Sequence, residues 1–282
     1  MKRIYFLYGI LAVCLAFWGF MFFKSYYESK ITCEFSHDYF GTLSYIHKTL
    51  KPEVYLEIGV DNGTSINLTH PETHAIGIDP VRKPKLKLND NVTFYKMESD
   101  KFFADKAIMK KEFSQKKANM SFIDGMHLYE YVLRDFINVE KVSNPNSVVF
   151  LHDTLPVSKE MSKRMEKWDG RAWTGDVYKI IPILKKYRPD LDVKIINSEP
   201  SGLCIVSNLD PNSKILEENY DKIIKEFKNY SYEDIVEFEK QNFKLIKPTE
   251  KNLKKLLKKS TKVKEKEVLF PKFPFFQGLK AQ

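Results

Sequence analysis

The sequence contains little cysteine. Its 282 residues include only Cys14, Cys33 and Cys204, which are too few for a disulfide framework. This excludes the small, disulfide-stapled secreted proteins and predicts reduced thiols that serve packing. The chain is long enough, and at 43% hydrophobic residues apolar enough, to form a core without such crosslinks.

Net charge is also scarce outside one segment. The formal charge is +9, but residues 244–266 hold ten lysines and two glutamates, which leaves about +1 for the rest. Almost no aromatic residue interrupts these lysines, which disfavours nucleic-acid binding. Leu253, Leu256 and Leu257 interrupt them at helical spacing. We interpret the segment either as an amphipathic helix on anionic lipid or as a solvated tail.

One long apolar run is present, at residues 4–23, and it contains no charged side chain. At about 1.5 Å per residue it would form roughly 30 Å of helix, the thickness of a bilayer core. A cleaved signal peptide is the alternative, but its apolar region is usually shorter and followed by small residues. Here Phe22, Phe23 and Lys24 end the run. We therefore predict a single-pass membrane anchor.

From residue 36 onward, helical and strand-like patterns alternate. Residues 36–50 have apolar residues at helical spacing, with Ser36 as a candidate cap. Most of the strand-like runs that follow are separated by enough chain for a crossover helix. This predicts an α/β fold with a mainly parallel sheet covered on both faces. A short connection between the last two runs predicts an antiparallel edge. The predicted strands are residues 53–60, 73–79, 91–97, 120–125, 147–153, 192–197 and 202–208.

The pattern changes after residue 208, where Ile215, Leu216, Ile223 and Phe227 fall at helical spacing. We predict a helical C-terminal appendage there. The predicted divisions are an anchor with its flanks at 1–30, the α/β domain at 31–210, the appendage at 211–246 and a lysine-rich tail at 247–282.

Glycines are few, 11 in all, and two follow the first predicted strand in "YLEIGVDNGTS". Gly59 and Gly63 let the backbone turn sharply, and a helix beginning near Thr64 would offer free N–H groups to a ligand. Asp79 ends the second strand, twenty residues after Gly59, and could hold both hydroxyls of a ribose. Together these features predict a nucleoside cofactor.

A dinucleotide fingerprint would need a second glycine where this sequence has Asp61. The positions that correspond to G-x-G-x-x-G are Gly59, Asp61 and Thr64. Asp61 places a negative charge where a pyrophosphate needs bare backbone, which disfavours NAD. A cationic cofactor without phosphate, such as S-adenosylmethionine, tolerates that charge.

These motifs, in this order, resemble the class I S-adenosylmethionine-dependent methyltransferases over residues 36–208. "YLEIGVDNGTS" is similar to the family's first motif and "IGIDP" to its second. "FIDGMHLYEYVLRD" and "VVFLHDT" resemble a subgroup with Asp-Gly-x-His after the fourth strand and His-Asp after the fifth. The resemblance implies a Rossmann-like, doubly wound, seven-stranded sheet in the order 3-2-1-4-5-7-6, with strand 7 antiparallel.

The resemblance also implies which residues bind S-adenosylmethionine. Asp79 would hold the ribose, and Glu98 or Ser99 the adenine edge. Asp124 would lie beside the reactive end of the cofactor. The residues that would surround the methionyl part are Glu57, Gly59, Asp61, Asn62, Gly63 and Thr64.

Asp124, His127, His152 and Asp153 are the candidates for chemistry. Methyl transfer uses an already activated sulfonium, so the protein has mainly to position and deprotonate the acceptor. His127 or His152 could be the general base. Alternatively, Asp124, His152 and Asp153 could hold Mg or Mn, as the related catechol-type enzymes imply, provided that the fifth strand ends before Asp153. A third interpretation gives these residues capping and structural roles only.

Residues 171–184, in which Trp173 and Asp176 precede an apolar helix, are interpreted as an acceptor lid. Alternatively, Trp173 fills the core and Asp176 caps the helix. The predicted function is O-methylation of a hydroxyl on a glycan or small molecule by a membrane-anchored enzyme. Alternatives are a hydroxylase-like enzyme, an NAD-linked oxidoreductase and a non-enzymatic, membrane-tethered protein on the same fold.

The flanks of the predicted anchor bear on topology. The flank before the apolar run carries more positive charge, from Lys2, Arg3 and the terminal amine, than the flank after it, where Glu28 offsets one of Lys24 and Lys30. Under the positive-inside rule this favours a cytoplasmic N-terminus and an exported domain. S-adenosylmethionine is made in the cytosol, however, so the predicted cofactor favours a domain that faces the cytosol. We adopt the cytosolic prediction.

Overall fold

The computed structural model describes residues 38–80, 84–156, 158–165 and 173–261. The strands are β1 Val54–Ile58, β2 His74–Ile78, β3 Val92–Tyr95, β4 Ala118–Ile123, β5 Ser143–His152, β6 Asp192–Ile196 and β7 Leu203–Ser207. They form one sheet in the order β3-β2-β1-β4-β5-β7-β6. Strands β1 to β5 are parallel, and β7 runs antiparallel to both β5 and β6. The predicted order and the antiparallel edge are confirmed.

Helices cover both faces of this sheet. They are α1 Tyr39–Leu50, α2 Ser99–Ala104, α3 Lys106–Phe113, α4 Tyr129–Lys141, α5 Ile180–Tyr187, α6 Ile215–Glu218, α7 Tyr220–Phe227, α8 Tyr232–Asn242 and α9 Glu250–Ser260. The buried side chains of α1 and α9 pack on one face, and those of α4, α5 and α7 pack on the other. Strand residues alternate between the two faces, as the period of a β-strand requires.

Two predicted helix starts are wrong. Helix α1 begins at Tyr39, because the Asp38 carboxylate caps it by accepting the Gly41 N–H at 2.6 Å; Ser36 lies outside the described residues. No α-helix begins near Thr64, where the chain forms only a short 3-10 turn at Ile66–Leu68. The Asn62 side chain accepts the Thr64 N–H at 3.0 Å and its hydroxyl at 2.7 Å, and this local turn competes with helix formation.

The lysine-rich segment is partly helical and packed on the protein. Leu253, Leu256 and Leu257 of α9 are buried in the same core cluster as Leu43 and Ile46 of α1. Their apolar face therefore contacts protein, not lipid, and the lysines of α9 are not a solvated tail. Both interpretations of this segment are wrong for residues 250–260, because sequence spacing shows an apolar face without showing what covers it. Residues 262–282 lie outside the described residues.

The predicted anchor at residues 4–23 also lies outside the described residues. Among the residues that are described, no helix is both long and apolar enough to span a bilayer. Cys204 is a buried, free thiol on β7, in agreement with a packing role.

Candidate active site

A cavity of about 830 Å³ lies at the carboxyl ends of the central parallel strands. The carboxyl ends of parallel strands meet at one edge of a sheet, so residues distant in sequence converge there. The predicted site residues that line the cavity are Gly59, Asp61, Asn62, Asp79, Glu98, Ser99, Asp124, His127, His152 and Asp153. Glu57, Gly63 and Thr64 do not belong to the lining.

Glu57 is fully buried beneath the cavity. Its two carboxylate oxygens accept hydrogen bonds from the hydroxyls of Tyr55 and Ser65, each at 2.6 Å. Burial raises the pKa of Glu57 to about 8. Both oxygens are engaged by the protein and Glu57 does not line the cavity, so its contact with the methionyl part stays a prediction. Glu57 holds the first-motif turn through Ser65.

Gly63 and Thr64 also turn away from the cavity. A Cβ on Gly63 would lie 3.0 Å from the Leu88 side chain, so Gly63 packs on the loop after β2. Thr64 is held by Asn62. The helix predicted to aim them at a ligand does not form, and their contact with the cofactor stays a prediction.

Gly59 allows the ends of β1 and β4 to approach closely. Its φ is +89°, and an added Cβ would lie 2.0 Å from the carbonyl oxygen of Asp124. At the same contact between the two strand ends, the Asp124 N–H donates to the Ile58 carbonyl at 2.8 Å. Only glycine fits this position without strain. This close approach of the two strand ends therefore brings Asp124 next to the first motif.

Asp79 occupies the half of the cavity predicted to hold the cofactor. It is 8% exposed, and its Oδ2 accepts the backbone N–H of Asp61 at 3.0 Å. Asp61 has a φ of +46°, a left-handed conformation that aspartate tolerates better than most residues. The contact links the first motif to the second and orients the Asp79 carboxylate at the cavity wall.

Asp135 is a site residue that the sequence did not suggest. It lies on α4, is 3% exposed and lines the cavity near Ser99. Burial raises its pKa to about 7, although the Ser99 side chain opposes this shift. The available signal was an aspartate within the apolar stripe of α4, next to Phe136.

Asp124, His152 and Asp153 form a candidate cation site, since each offers a ligand atom within 4.8 Å of the others. His152 Nδ1 lies 3.2 Å from Asp124 Oδ1 and 3.4 Å from Asp153 Oδ1. Strand β5 ends at His152, and Asp153 has a φ of +57°. The left-handed turn satisfies the condition that the strand end before Asp153.

His127 joins the same cluster. Its Nε2 lies 3.3 Å from Asp124 Oδ1, and its Nδ1 lies 2.8 Å from the Trp173 carbonyl oxygen and 3.1 Å from Asp153 Oδ2. Burial opposes its protonation, but the carboxylates of Asp153 and Asp124 raise the pKa of His127 to about 10. A histidine that keeps its proton at neutral pH cannot accept another. This disfavours His127 as a metal-free general base.

The same charges act on the neighbours of His127. Burial opposes a charged His152, yet Asp124 and Asp153 raise its pKa. Burial also opposes ionisation of Asp124, yet His152 and His127 hold its pKa below the usual range. Each shift favours the charged form of its group, so the histidines and carboxylates of this cluster stabilise one another as ion pairs.

Asp153 provides a direct test of whether a divalent cation fits this cluster. Its Oδ1 accepts the Ser201 hydroxyl at 2.5 Å. Its Oδ2 is buried and accepts no hydrogen bond from any described residue, although it lies 3.1 Å from His127 Nδ1 in an ion pair. A buried carboxylate oxygen without a hydrogen bond keeps lone pairs that a cation can use. Two carboxylates and an imidazole form a donor set that suits several divalent ions, so the residues fit.

The lid segment contacts the cluster through His127. The Asp176 N–H donates to the His127 carbonyl at 3.2 Å, and a Cβ on Gly175 would lie 1.7 Å from that oxygen. Asp176 is buried and accepts from the Tyr129 N–H at 3.1 Å and from Arg164 at 2.6 Å. Asp176 therefore pins the segment to α4 and makes no side-chain cap on the following helix.

Aromatic and apolar side chains complete the wall. Trp173 lines the cavity and lies 5.2 Å from the His127 ring, so it is not a core residue. Sequence reasoning missed several others, because only tertiary packing brings them to the strand ends. These are Tyr39, Phe40, Met126, Tyr131, Met161 and Pro200.

The cavity is strongly acidic. Among the described residues that line it, seven are aspartate or glutamate and none is lysine or arginine. Such a wall attracts a cationic ligand and repels a pyrophosphate. The seven acids are Asp61, Asp79, Glu98, Asp100, Asp124, Asp135 and Asp153.

Part of the chain is similar to a known protein family. Residues 56–154 match the family model described as a methyltransferase domain. No curated protein sequence matches the chain. The similar solved structures include the O-methyltransferase from Bacillus cereus in complex with S-adenosylhomocysteine, which is 13% identical, with 61% of this chain and 82% of that chain covered and a TM-score of 0.45.

Two further structures are similar at the same level. One is the O-methyltransferase TomG from Streptomyces achromogenes, at 13% identity, with 65% of this chain and 86% of that chain covered and a TM-score of 0.46. The other is the Podospora anserina methyltransferase PaMTH1, at 13% identity, with 61% and 78% covered and a TM-score of 0.46. Residues 56–154 are therefore similar to a methyltransferase domain.

Proposed function

We propose that this protein is an O-methyltransferase that uses a divalent cation to help deprotonate an acceptor hydroxyl. One observation carries the proposal: a single acidic cavity holds Asp79 on its cofactor side and the group of Asp124, His152 and Asp153 on its reactive side. The family supplies the methyl donor, and the buried cluster supplies a place for the acceptor oxygen.

On the cofactor side, Asp79 would accept hydrogen bonds from the ribose hydroxyls. Asp61 would attract the methionyl ammonium, and Ser99 with Asp135 would contact the adenine edge. The sulfonium would be stabilised by the surrounding carboxylates, since opposite charges attract strongly at low dielectric. This assignment keeps Gly59, Asp61, Asn62, Asp79, Ser99 and Asp124 from the predicted cofactor set.

On the reactive side, Asp124, His152 and Asp153 would hold the cation. When bound, a divalent ion lowers the pKa of a coordinated hydroxyl. Ser201 fixes one oxygen of Asp153 and leaves the other for coordination. His127 hydrogen-bonds the Trp173 carbonyl and so holds the lid segment against the cluster.

The acceptor would enter along the wall formed by Phe40, Met161 and Trp173. These apolar faces suit the ring of a sugar or of a flat small molecule. We therefore propose a hydroxyl on a glycan or small molecule as the methyl acceptor.

Transfer of a radiolabelled methyl group from S-adenosylmethionine to fractionated glycans and small molecules tests this function. We expect labelling that a chelator suppresses, that added Mn²⁺ restores and that Asp124→Asn abolishes. Labelling indifferent to the chelator would contradict the role of the cation. No labelling by folded protein that still binds S-adenosylhomocysteine would favour the non-enzymatic alternative.

We further propose that residues 4–23 anchor the protein and that the domain faces the cytosol. Protease treatment of right-side-out cells tests the topology. Digestion only after lysis supports a cytosolic domain, and digestion of intact cells contradicts it.

A further inference from the structure

Tyr39, the first residue of α1, lies on the face of a proposed cation ligand. The centroid of its ring is 4.1 Å from that of His152, and the two planes are inclined by 34°. Tyr39 also lines the cavity. The N-terminal end of α1 is therefore part of the reactive side, although Tyr39 is more than eighty positions from the nearest member of the cluster in the chain.

The backbone of Tyr39 is fixed on two sides. Its N–H donates to the Glu199 carbonyl at 2.9 Å, and the preceding Asp38 caps α1 through the Gly41 N–H. A ring attached to such a backbone has few rotamers available. It can therefore act as a rigid surface for His152.

The polar contacts of His152 lie at the edge of its ring. Nδ1 faces Asp124 and Asp153, and Nε2 lies 3.4 Å from the Ser201 hydroxyl. These contacts act at the two nitrogens, whereas rotation of the ring out of its plane is limited by what packs on its faces. Tyr39 packs there at 4.1 Å, and Phe122 is more distant, at 6.1 Å.

We propose that Tyr39 is a positioning residue that fixes the imidazole plane of His152, so that its nitrogen aims at the point between the Asp124 and Asp153 carboxylates. This rests on the proposed cation site. A histidine ligand binds well only when its neighbours hold the ring in the correct orientation. The contribution of Tyr39 is its ring, so phenylalanine should replace it.

The experiment measures Mn²⁺ binding to the full-length protein by electron paramagnetic resonance and S-adenosylhomocysteine binding by calorimetry. The variants are Tyr39→Leu, which removes the ring, and Tyr39→Phe, which keeps it. Tyr45→Leu is the matched control, because Tyr45 lies on the same helix and its hydroxyl reaches the Glu250 carbonyl, remote from the cavity.

We expect Tyr39→Leu to weaken Mn²⁺ binding by about tenfold or more, the effect of losing an outer-shell partner, while S-adenosylhomocysteine binds as in the wild type. Tyr39→Phe and Tyr45→Leu should leave both affinities unchanged. Wild-type Mn²⁺ binding by Tyr39→Leu would overturn the inference and leave the proposed function intact.

Two other outcomes would also overturn the inference. Equal loss of both ligands in Tyr39→Leu would make Tyr39 a general structural residue. Failure of the wild-type protein to bind Mn²⁺, with S-adenosylhomocysteine still bound, would remove the cation from the proposed function and with it the role of Tyr39.

Discussion

The two ends of the sheet carry recesses of similar size but different electrostatic character. The cavity at the carboxyl ends measures about 830 Å³ and the recess at the amino ends about 760 Å³. At the amino ends, acids meet bases: Glu112 accepts from His74 at 2.6 Å and lies 2.8 Å from Lys111, and Glu53 pairs with Lys116. At the carboxyl ends, the described acids outnumber the bases.

The difference shows how to distinguish a structural ion pair from a candidate site. His74–Glu112 and His152–Asp124 are both close histidine–carboxylate contacts. Glu112, however, accepts hydrogen bonds on both of its oxygens, whereas Asp153 Oδ2 is buried, accepts no hydrogen bond from a described residue and contacts His127 as an ion pair. A buried carboxylate oxygen without a hydrogen bond lowers stability, so it is typical of a site that a ligand completes.

The largest loss of stability should come from Gly59→Ala, which disrupts the close approach of the β1 and β4 ends beside the carboxyl-end cavity. The new Cβ would lie 2.0 Å from the Asp124 carbonyl, at a φ of +89°. We expect a loss of about 3 kcal/mol or more in the free energy of unfolding, measured by urea denaturation. Gly125→Ala is the control, since its Cβ would meet the Ile58 side chain at 3.2 Å and no backbone atom closer than 3.9 Å. Equal losses of unfolding free energy in the two variants would show that the approach of the strand ends at Gly59 does not specifically require glycine.

The next effect concerns the cation itself. Asp124→Asn keeps the shape of the side chain but removes its charge. Because loss of an outer-shell partner already costs 10- to 100-fold, loss of the ligand should weaken Mn²⁺ binding by at least about 100-fold. Electron paramagnetic resonance measures this. Glu112→Gln at the amino ends should leave Mn²⁺ binding unchanged, and an effect there of similar size would remove the distinction between the two ends.

The pH dependence of Mn²⁺ binding should be smaller. Burial opposes a charged His152, yet Asp124 and Asp153 raise its pKa, so a cation must displace its proton. As pH rises towards that pKa, the cost of removing the proton falls and the affinity rises, by up to about tenfold per pH unit for one proton. Titrations between pH 6 and 8 measure it. A constant affinity across this range would mean that His152 is not a ligand.

The smallest effect should be the loss of stability in Glu112→Gln, about 1 kcal/mol in the free energy of unfolding. Although burial opposes it, Lys111, Tyr95 and His74 lower the pKa of Glu112. The carboxylate therefore stabilises the fold above its unfolded pKa, and this contribution disappears as pH falls through the lowered value. Denaturation at several pH values should show the variant and wild type converging in acid. A difference that persists there would contradict this.

The sequence predicted the sheet well because strand patterns are local. All seven strands lie where short β-branched and aromatic runs were found, and the polar residues at their ends converge as parallel topology requires. Side-chain partners were predicted less well. Nothing in the first motif shows that Tyr55 and Ser65 engage Glu57, and no local pattern brings Tyr39 to His152 or the α9 leucines to α1. These contacts depend on residues far apart in the chain.

The central claim is that the carboxyl-end cavity binds the cofactor through Asp79. Calorimetric titration of S-adenosylhomocysteine into wild type, Asp79→Ala and the amino-end control Glu72→Ala tests it most directly. We expect micromolar binding to the wild type and to Glu72→Ala, and a loss of at least about tenfold in Asp79→Ala, because hydrogen bonds to a charged group contribute about 1.5–3 kcal/mol each. Absence of binding to folded wild-type protein, or unchanged binding to Asp79→Ala, would contradict the claim.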